Sequence, residues 1–330
     1  MKNSGRTSVY DESAAYTYYK TLSLSRMRPF ALRCVASIFY NFFFRQYRAA
    51  FLPGRVPVSA VDHPLDKKIP FEPSWVTIYL DFVNFWIRVV SFLLRNYGRK
   101  AYDAAIDFIS SMGKLYQFAA GVYKKNFSTT KRPFYISRSK FLIIHLVDPH
   151  LMCIPSLHVM IAIRTYTKFR QLLRGLGDEE KFAPQIEELR QGALAISRAI
   201  LYIKQHSINC ISAALYAMCC FDPQLFTQQD AEAFIVDLMT GTAPAAPPRE
   251  KQPANYAVRP DAAPPCTIKK EDIIEIQNHI TRLFRRFISE RDAAGNTPAG
   301  NNTAKNGAAE YGAEYWGNPL LKFLREMPGA

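Results

Sequence analysis

Three short stretches hold side chains whose types and spacing suit chemistry on an anion. Lys125 and Arg132 are two cations separated by six residues, in the basic run Lys125-Asn-Phe-Ser-Thr-Thr-Lys131-Arg132-Pro133. Pro155-Ser156-Leu157-His158 opens an apolar segment, and Lys204-Gln205-His206 lies within another. A planar guanidinium and an ammonium are the side chains that bind phosphate oxygens. A lone histidine beside an apolar face is usually a satisfied core residue, but His158 and His206 each sit beside other polar groups. His63, His145, His150 and His279 show no such pattern and read as structural or solvated.

The whole chain favours an anionic partner. Its 42 Lys and Arg against 28 Asp and Glu give a formal charge of +14 over 330 residues. Such an excess suits nucleic acid, an anionic membrane surface or a phosphorylated substrate. Nucleic acid is disfavoured because the cations lie between apolar blocks, not along one polar stripe. Hydrophobic residues at 48% and aromatics at 13% exclude a wholly disordered chain. The six cysteines form no CxxC pair and read as small buried hydrophobes, so no metal site is expected. The polar start, through Met27, lacks the pattern of a cleaved signal peptide.

The elements that must position these residues are helices. Apolar blocks run over 29–51, 75–94, 101–123, 157–169, 192–204 and 207–221. The longest approach the roughly 20 residues that a helix needs to cross a bilayer. Asp81, Arg88, Asp103, Asp107 and Lys114 interrupt them, so a membrane bundle with inward-facing charges and an amphipathic soluble or membrane-associated bundle both fit. Lys and Arg in 95–100 and from Arg164 onward favour the first. The expected organisation is a polar lead-in over 1–28, a bundle over 29–221 and a Pro/Ala-rich linker over 222–268. An amphipathic helix over 269–292 and a mostly disordered tail over 293–330 follow. Ile273, Ile276, Ile280, Leu283 and Phe287 make the apolar stripe of that helix.

The three motifs, in this order and between apolar blocks, resemble those of the type 2 phosphatidic acid phosphatase (PAP2) superfamily: K-x6-R-P, P-S-x-H and S-R-x5-H-x3-D. The first two are complete. In the third, Ile200 stands where the family has Arg and Cys210 where it has Asp. The resemblance covers roughly residues 30–221. It implies an all-α, six-helix, transmembrane bundle in the cell membrane, with its active site on the non-cytosolic face. It also implies phosphatase or head-group transferase chemistry on a membrane lipid phosphate, with no cofactor and no metal. His206 becomes the nucleophile that forms a phosphohistidine, and His158 the acid and then the base. Lys125, Arg132, Ser156 and the Leu157 N–H become phosphate ligands, and Lys204 replaces the missing Arg. A thiol at position 210 supplies no fixed negative charge behind His206. Asp148 is a conceivable substitute. A catalytically silent lipid-phosphate-binding or scaffold protein is therefore the alternative.

Overall fold

The computed structural model describes residues 8–52, 54–135, 139–240, 268–295 and 316–330. It is mostly helical, as the all-α expectation requires. Among the described residues there are thirteen α-helices and one pair of three-residue strands.

The core is built around the motif-bearing helices. α8 (Leu157–Gly175) packs on α9 (Ala183–Tyr202), α10 (Ile208–Phe221), α5 (Phe82–Tyr97) and α6 (Tyr102–Tyr123). α10 is buried over nearly its full length. Its composition explains this: a helix apolar all round has no face to give to water. The charges inside the apolar blocks resolve into pairs. Arg88 makes two hydrogen bonds to the Asp81 carboxylate, at 2.7 and 2.8 Å. Arg164 bonds Asp222 at 2.6 Å and Ser111 Oγ at 2.6 Å, and Lys168 meets Asp107 at 2.5 Å.

Two further segments complete the bundle. α2 (Arg28–Ile38) leads through a π-helical turn, Phe39–Phe44, into α3 (Arg45–Phe51) and packs on α6. α4 (Val76–Leu80) precedes α5, and α7 (Ser139–Val147) precedes the loop to α8. The strands β1 (Val58–Ala60) and β2 (Phe127–Thr129) pair in parallel, Val58 opposite Phe127. They fix the start of the basic loop that carries Arg132.

Several expectations about the chain ends are corrected. The polar lead-in is part of the bundle: α1 (Ala14–Ser23) packs on α5, with Thr17 Oγ1 donating to the Ile87 carbonyl at 3.0 Å. The linker does not begin at 222. α11 (Gln228–Thr240) forms there because Phe234, Ile235 and Leu238 recur at helical spacing, and all three are buried. The Pro-rich residues 241–267 lie outside the described residues. The amphipathic helix α12 (Lys270–Gly295) is present, and its stripe docks on α10 with Ile276, Ile280 and Phe287 fully buried. Of the tail, 296–315 lie outside the described residues. Residues after Trp316 are packed: α13 (Asn318–Glu326) buries Leu320 and Leu324, and Tyr216 Oη donates to the Trp316 carbonyl at 2.7 Å.

One helical stretch, Pro73–Tyr123, is long and apolar enough to cross a membrane by length and composition. It is broken at Gly98, whose φ of 56° ends α5, and 61% of its most apolar window is buried inside the protein. A mostly buried core helix passes the same test. The helices α8, α9 and α10, which flank the two histidines, are mostly buried.

Gly192 on α9 packs tightly against Phe85 of α5 and against Tyr10. A Cβ there would collide with the Phe85 ring and the Tyr10 hydroxyl. Gly192→Ala is therefore expected to cost about 1–3 kcal/mol of stability through overpacking. Chemical denaturation of the purified variant measures this, and a change below about 0.5 kcal/mol would show that Phe85 and Tyr10 yield freely.

Candidate active site

His158 and His206 reach one another from two separate helix ends. His158 is the second residue of α8, whose N-cap is Ser156. His206 lies in the tight turn between α9 and α10. That turn closes because the Ile200 carbonyl accepts from both Gln205 N (2.9 Å) and His206 N (3.1 Å). Lys204 takes a left-handed backbone at φ 56°, a helix-terminating conformation usually left to glycine. Ser207 then caps α10, accepting from Asn209 N at 3.3 Å. The outcome is a contact of 3.3 Å between His206 Nε2 and His158 Nδ1. Both rings are buried, and His158 is walled by Tyr79 and Phe82 at centroid distances of 4.6 and 4.4 Å.

The cations distribute unevenly. Arg132 approaches the site: one terminal nitrogen donates to Gln205 Oε1 at 3.4 Å and the other to the Asp148 carbonyl at 3.3 Å. It lines a cleft of about 370 Å³ together with Thr130, Phe134, His145 and His150. Lys125 is exposed just past α6 and lines neither this cleft nor the cavity at the histidines. Lys204 does not face the histidines. Its ammonium donates to the Asp66 and Ile69 carbonyls, so its place in the phosphate set is corrected to a structural tie. Its left-handed backbone throws the side chain toward 66–69. Ser156 Oγ is fully buried without a hydrogen-bond partner, and Leu157 lines the cavity at the two histidines.

Asp148 serves His150, not His206. Its Oδ1 accepts from His150 N at 2.9 Å, and its Oδ2 is 3.9 Å from His150 Nδ1. Burial opposes its ionisation, but the bonds and charge of His150 prevail and hold the carboxyl well below the usual range.

His150, read from the sequence as structural or solvated, is buried and has a left-handed φ of 62°. Its Nε2 lies 2.7 Å from Thr130 Oγ1 and 3.5 Å from Cys153 Sγ. It lines both the Arg132 cleft and the small cavity shared by His158, His206, Cys153 and Asp148. Burial works against its charge, yet Cys153 and Asp148 together raise it to about 9. Cys153 itself interacts with Cys210, His150 and His206. Burial disfavours its thiolate, but the Cys210 thiol and the two imidazoles outweigh that and lower it well below an ordinary thiol. His206 Nδ1 is buried without a hydrogen-bond partner. The signal available in the sequence was Asp148-Pro149-His150 and Cys153, just before the second motif. Elsewhere, His63 and His279 stack at 3.8 Å, with His279 Nε2 2.8 Å from Asn209 Oδ1.

The cavity at the histidine pair has a volume of about 10 Å³, room for one water at most. A phosphate group reaches His206 only if the two imidazoles part. Among the described residues, no group of three or more His, Cys, Asp or Glu side chains is arranged to hold a metal ion.

Searches against protein-family models, curated proteins and solved structures find no match to this chain.

The charged state of His150 has a measurable consequence. Its folded value lies above its unfolded one of 6.5, so its contribution to stability is fully present below about 6.5 and is lost as pH rises through about 9. The stability gap between native protein and His150→Gln is expected to be widest below pH 6.5, to narrow between pH 6.5 and about 9, and to be smallest above that. Denaturation at a series of pH values reads it, and a gap that widens with pH would remove the charged imidazole.

Proposed function

We propose that the chain is a phosphatase or phosphotransferase acting on a lipid phosphate through a phosphohistidine. The observation that carries this reading is the meeting of His158 and His206 at 3.3 Å, from the two positions that the motifs single out. Arg132 and its cleft supply the anion site beside them.

The steps follow from the groups present. The phosphate monoester enters the cleft, where the Arg132 guanidinium binds its oxygens. His150, the wall between cleft and histidine cavity, moves aside, and the Ser156 hydroxyl and Leu157 N–H at the start of α8 complete the donor set. His206 Nε2 attacks phosphorus. The N–P bond forms as the ester P–O bond breaks, and His158 gives its proton to the leaving oxygen. His158 then takes a proton from water or an alcohol, whose oxygen attacks phosphorus as the N–P bond breaks. Water yields phosphate and an alcohol yields a transferred phosphoryl group.

The missing third-motif carboxylate has a replacement. Cys153, whose thiol is opposed by burial but held below its ordinary value by Cys210 and the two imidazoles, is the group that would place negative charge near His206. Although His206 Nδ1 has no hydrogen-bond partner in the closed site, a negative sulfur nearby would favour the positive ring that forms on attack. Cys153 is thus a positioning residue.

The membrane part of the reading rests on the surface. Phe39, Phe44, Phe51, Leu142, Ile143 and Leu146 are exposed, more apolar surface than a soluble monomer leaves uncovered without reason. The face formed by α2, α3 and α7 is where the protein meets lipid. Integral spanning through Pro73–Tyr123 is the alternative that resistance to carbonate extraction would favour.

The test is release of phosphate from short-chain phosphatidic acid. The native chain is expected to be active and His206→Ala inactive; equal background in both leaves the silent lipid-binding reading in its place. Cys153→Ser should lower the rate by at least about tenfold, or about 1.4 kcal/mol. Adding Cys210→Asp to Cys153→Ser should recover part of it, since a carboxylate then stands near the same ring. A double variant no better than Cys153→Ser would refute the positioning role.

A further inference from the structure

A second cavity of about 460 Å³ lies beside the site, between the π-helical turn with α3, the segment 54–58 and the end of α6. Arg45, Arg48, Arg55 and Lys124 line it, and no carboxylate does. Its remaining wall is largely apolar, with Tyr40, Phe44 and Leu52 at the rim. The Arg45 guanidinium sits 4.9 Å from the Tyr40 ring, and its Nε is buried without a hydrogen-bond partner. Four like charges drawn around one cleft repel each other unless an anion joins them. Elsewhere in the protein, cations such as Arg88, Arg164, Arg174 and Arg190 are matched by carboxylates.

The surroundings say what kind of anion. Phe39, Tyr40, Phe44, Phe51 and Leu52 are between 43% and 77% exposed around this cleft. Tyr47 Oη donates to the Val147 carbonyl at 2.9 Å and joins α3 to α7, whose Ile143 and Leu146 are also exposed. The cleft therefore opens within an apolar surface, and Pro149 is a wall of both this cleft and the Arg132 cleft. A small hydrated anion gains nothing from such walls. A lipid with an anionic head group uses both parts: head group on the cations, acyl chain on the aromatic rim.

We propose that this cleft is a binding site for an anionic phospholipid of the bilayer, separate from the histidine site and holding the protein against the membrane beside it. The proposal does not depend on catalysis by His206.

The experiment is flotation of the full chain with vesicles of phosphatidylcholine alone and of phosphatidylcholine with phosphatidic acid. Native protein and His206→Ala are expected to float with the second kind. The combined Arg45→Gln, Arg48→Gln and Lys124→Gln variant should bind at least about tenfold more weakly. Arg282→Gln with Arg285→Gln, on α12, should leave binding unchanged. Inorganic phosphate at matched ionic strength should not displace the vesicles. Undiminished binding by the triple variant, loss in the α12 variant, or displacement by phosphate alone each overturns the proposal. Should the triple variant not fold, a photoactivatable phosphatidic acid on the native chain decides: label on residues 40–58 and 123–127, whatever else is labelled at the histidine site, supports the site, and no label there overturns it. Native protein that floats but releases no phosphate leaves this site standing and removes only the catalytic reading.

Discussion

The turn between α9 and α10 is the constraint on which the site depends. His206 is not carried on a helix, so no regular backbone ladder holds its ring. Its position comes from Ile200, whose carbonyl takes two N–H groups from the turn, and from Lys204, whose ammonium is tied to the Asp66 and Ile69 carbonyls. Asp66 reinforces this by accepting from Ile208 N at 2.9 Å, at the first residue of α10. A cation that looked like a phosphate ligand is thus committed to backbone oxygens. An ammonium would lose both carbonyl partners to reach a substrate, and the turn would then be held only by the Ile200 and Asp66 bonds. The price is one left-handed residue, offset by these bonds.

The histidine pair was legible in the sequence because its signals are local. Pro155-Ser156-Leu157-His158 opens a helix, and Lys204-Gln205-His206 precedes another, so both rings fall at helix ends where side chains meet across a bundle. The Arg132 cleft was legible for a similar reason, since Pro133 keeps that stretch out of a helix. The part of His150 was not. Its buried state depends on Thr130, Asp148 and Cys153 meeting around it, a tertiary fact with no fixed spacing. The reading of Cys210 as a plain loss was incomplete too: only the fold puts a second thiol, Cys153, between Cys210 and the imidazole. Hydropathy does not decide the six-span membrane bundle that the resemblance implies, since among the described residues one stretch, Pro73–Tyr123, is long and apolar enough to cross a membrane. An all-apolar helix is equally suited to lipid and to a protein core, and α10 is enclosed by other helices.

Charge counting ties these features together. In the closed cluster Asp148 and Cys153 are held below their ordinary values and His150 above its own, so the shifts favour opposite charges side by side, with Arg132 next to them. The cluster is therefore near neutral while it is sealed, and a sealed neutral cluster is the arrangement that low dielectric favours. A phosphate monoester brings close to two further negative charges into the same small volume. Arg132 is already counted, and Lys125 lies outside. A proton on His158, which burial and His206 lower to about 3 in the closed site, would offset one of those two charges. On the proposed reading, the proton needed on the leaving oxygen would be the one that substrate binding favours, and the 3.3 Å contact between the two imidazoles would open as a protonated His158 is drawn to phosphate rather than to His206.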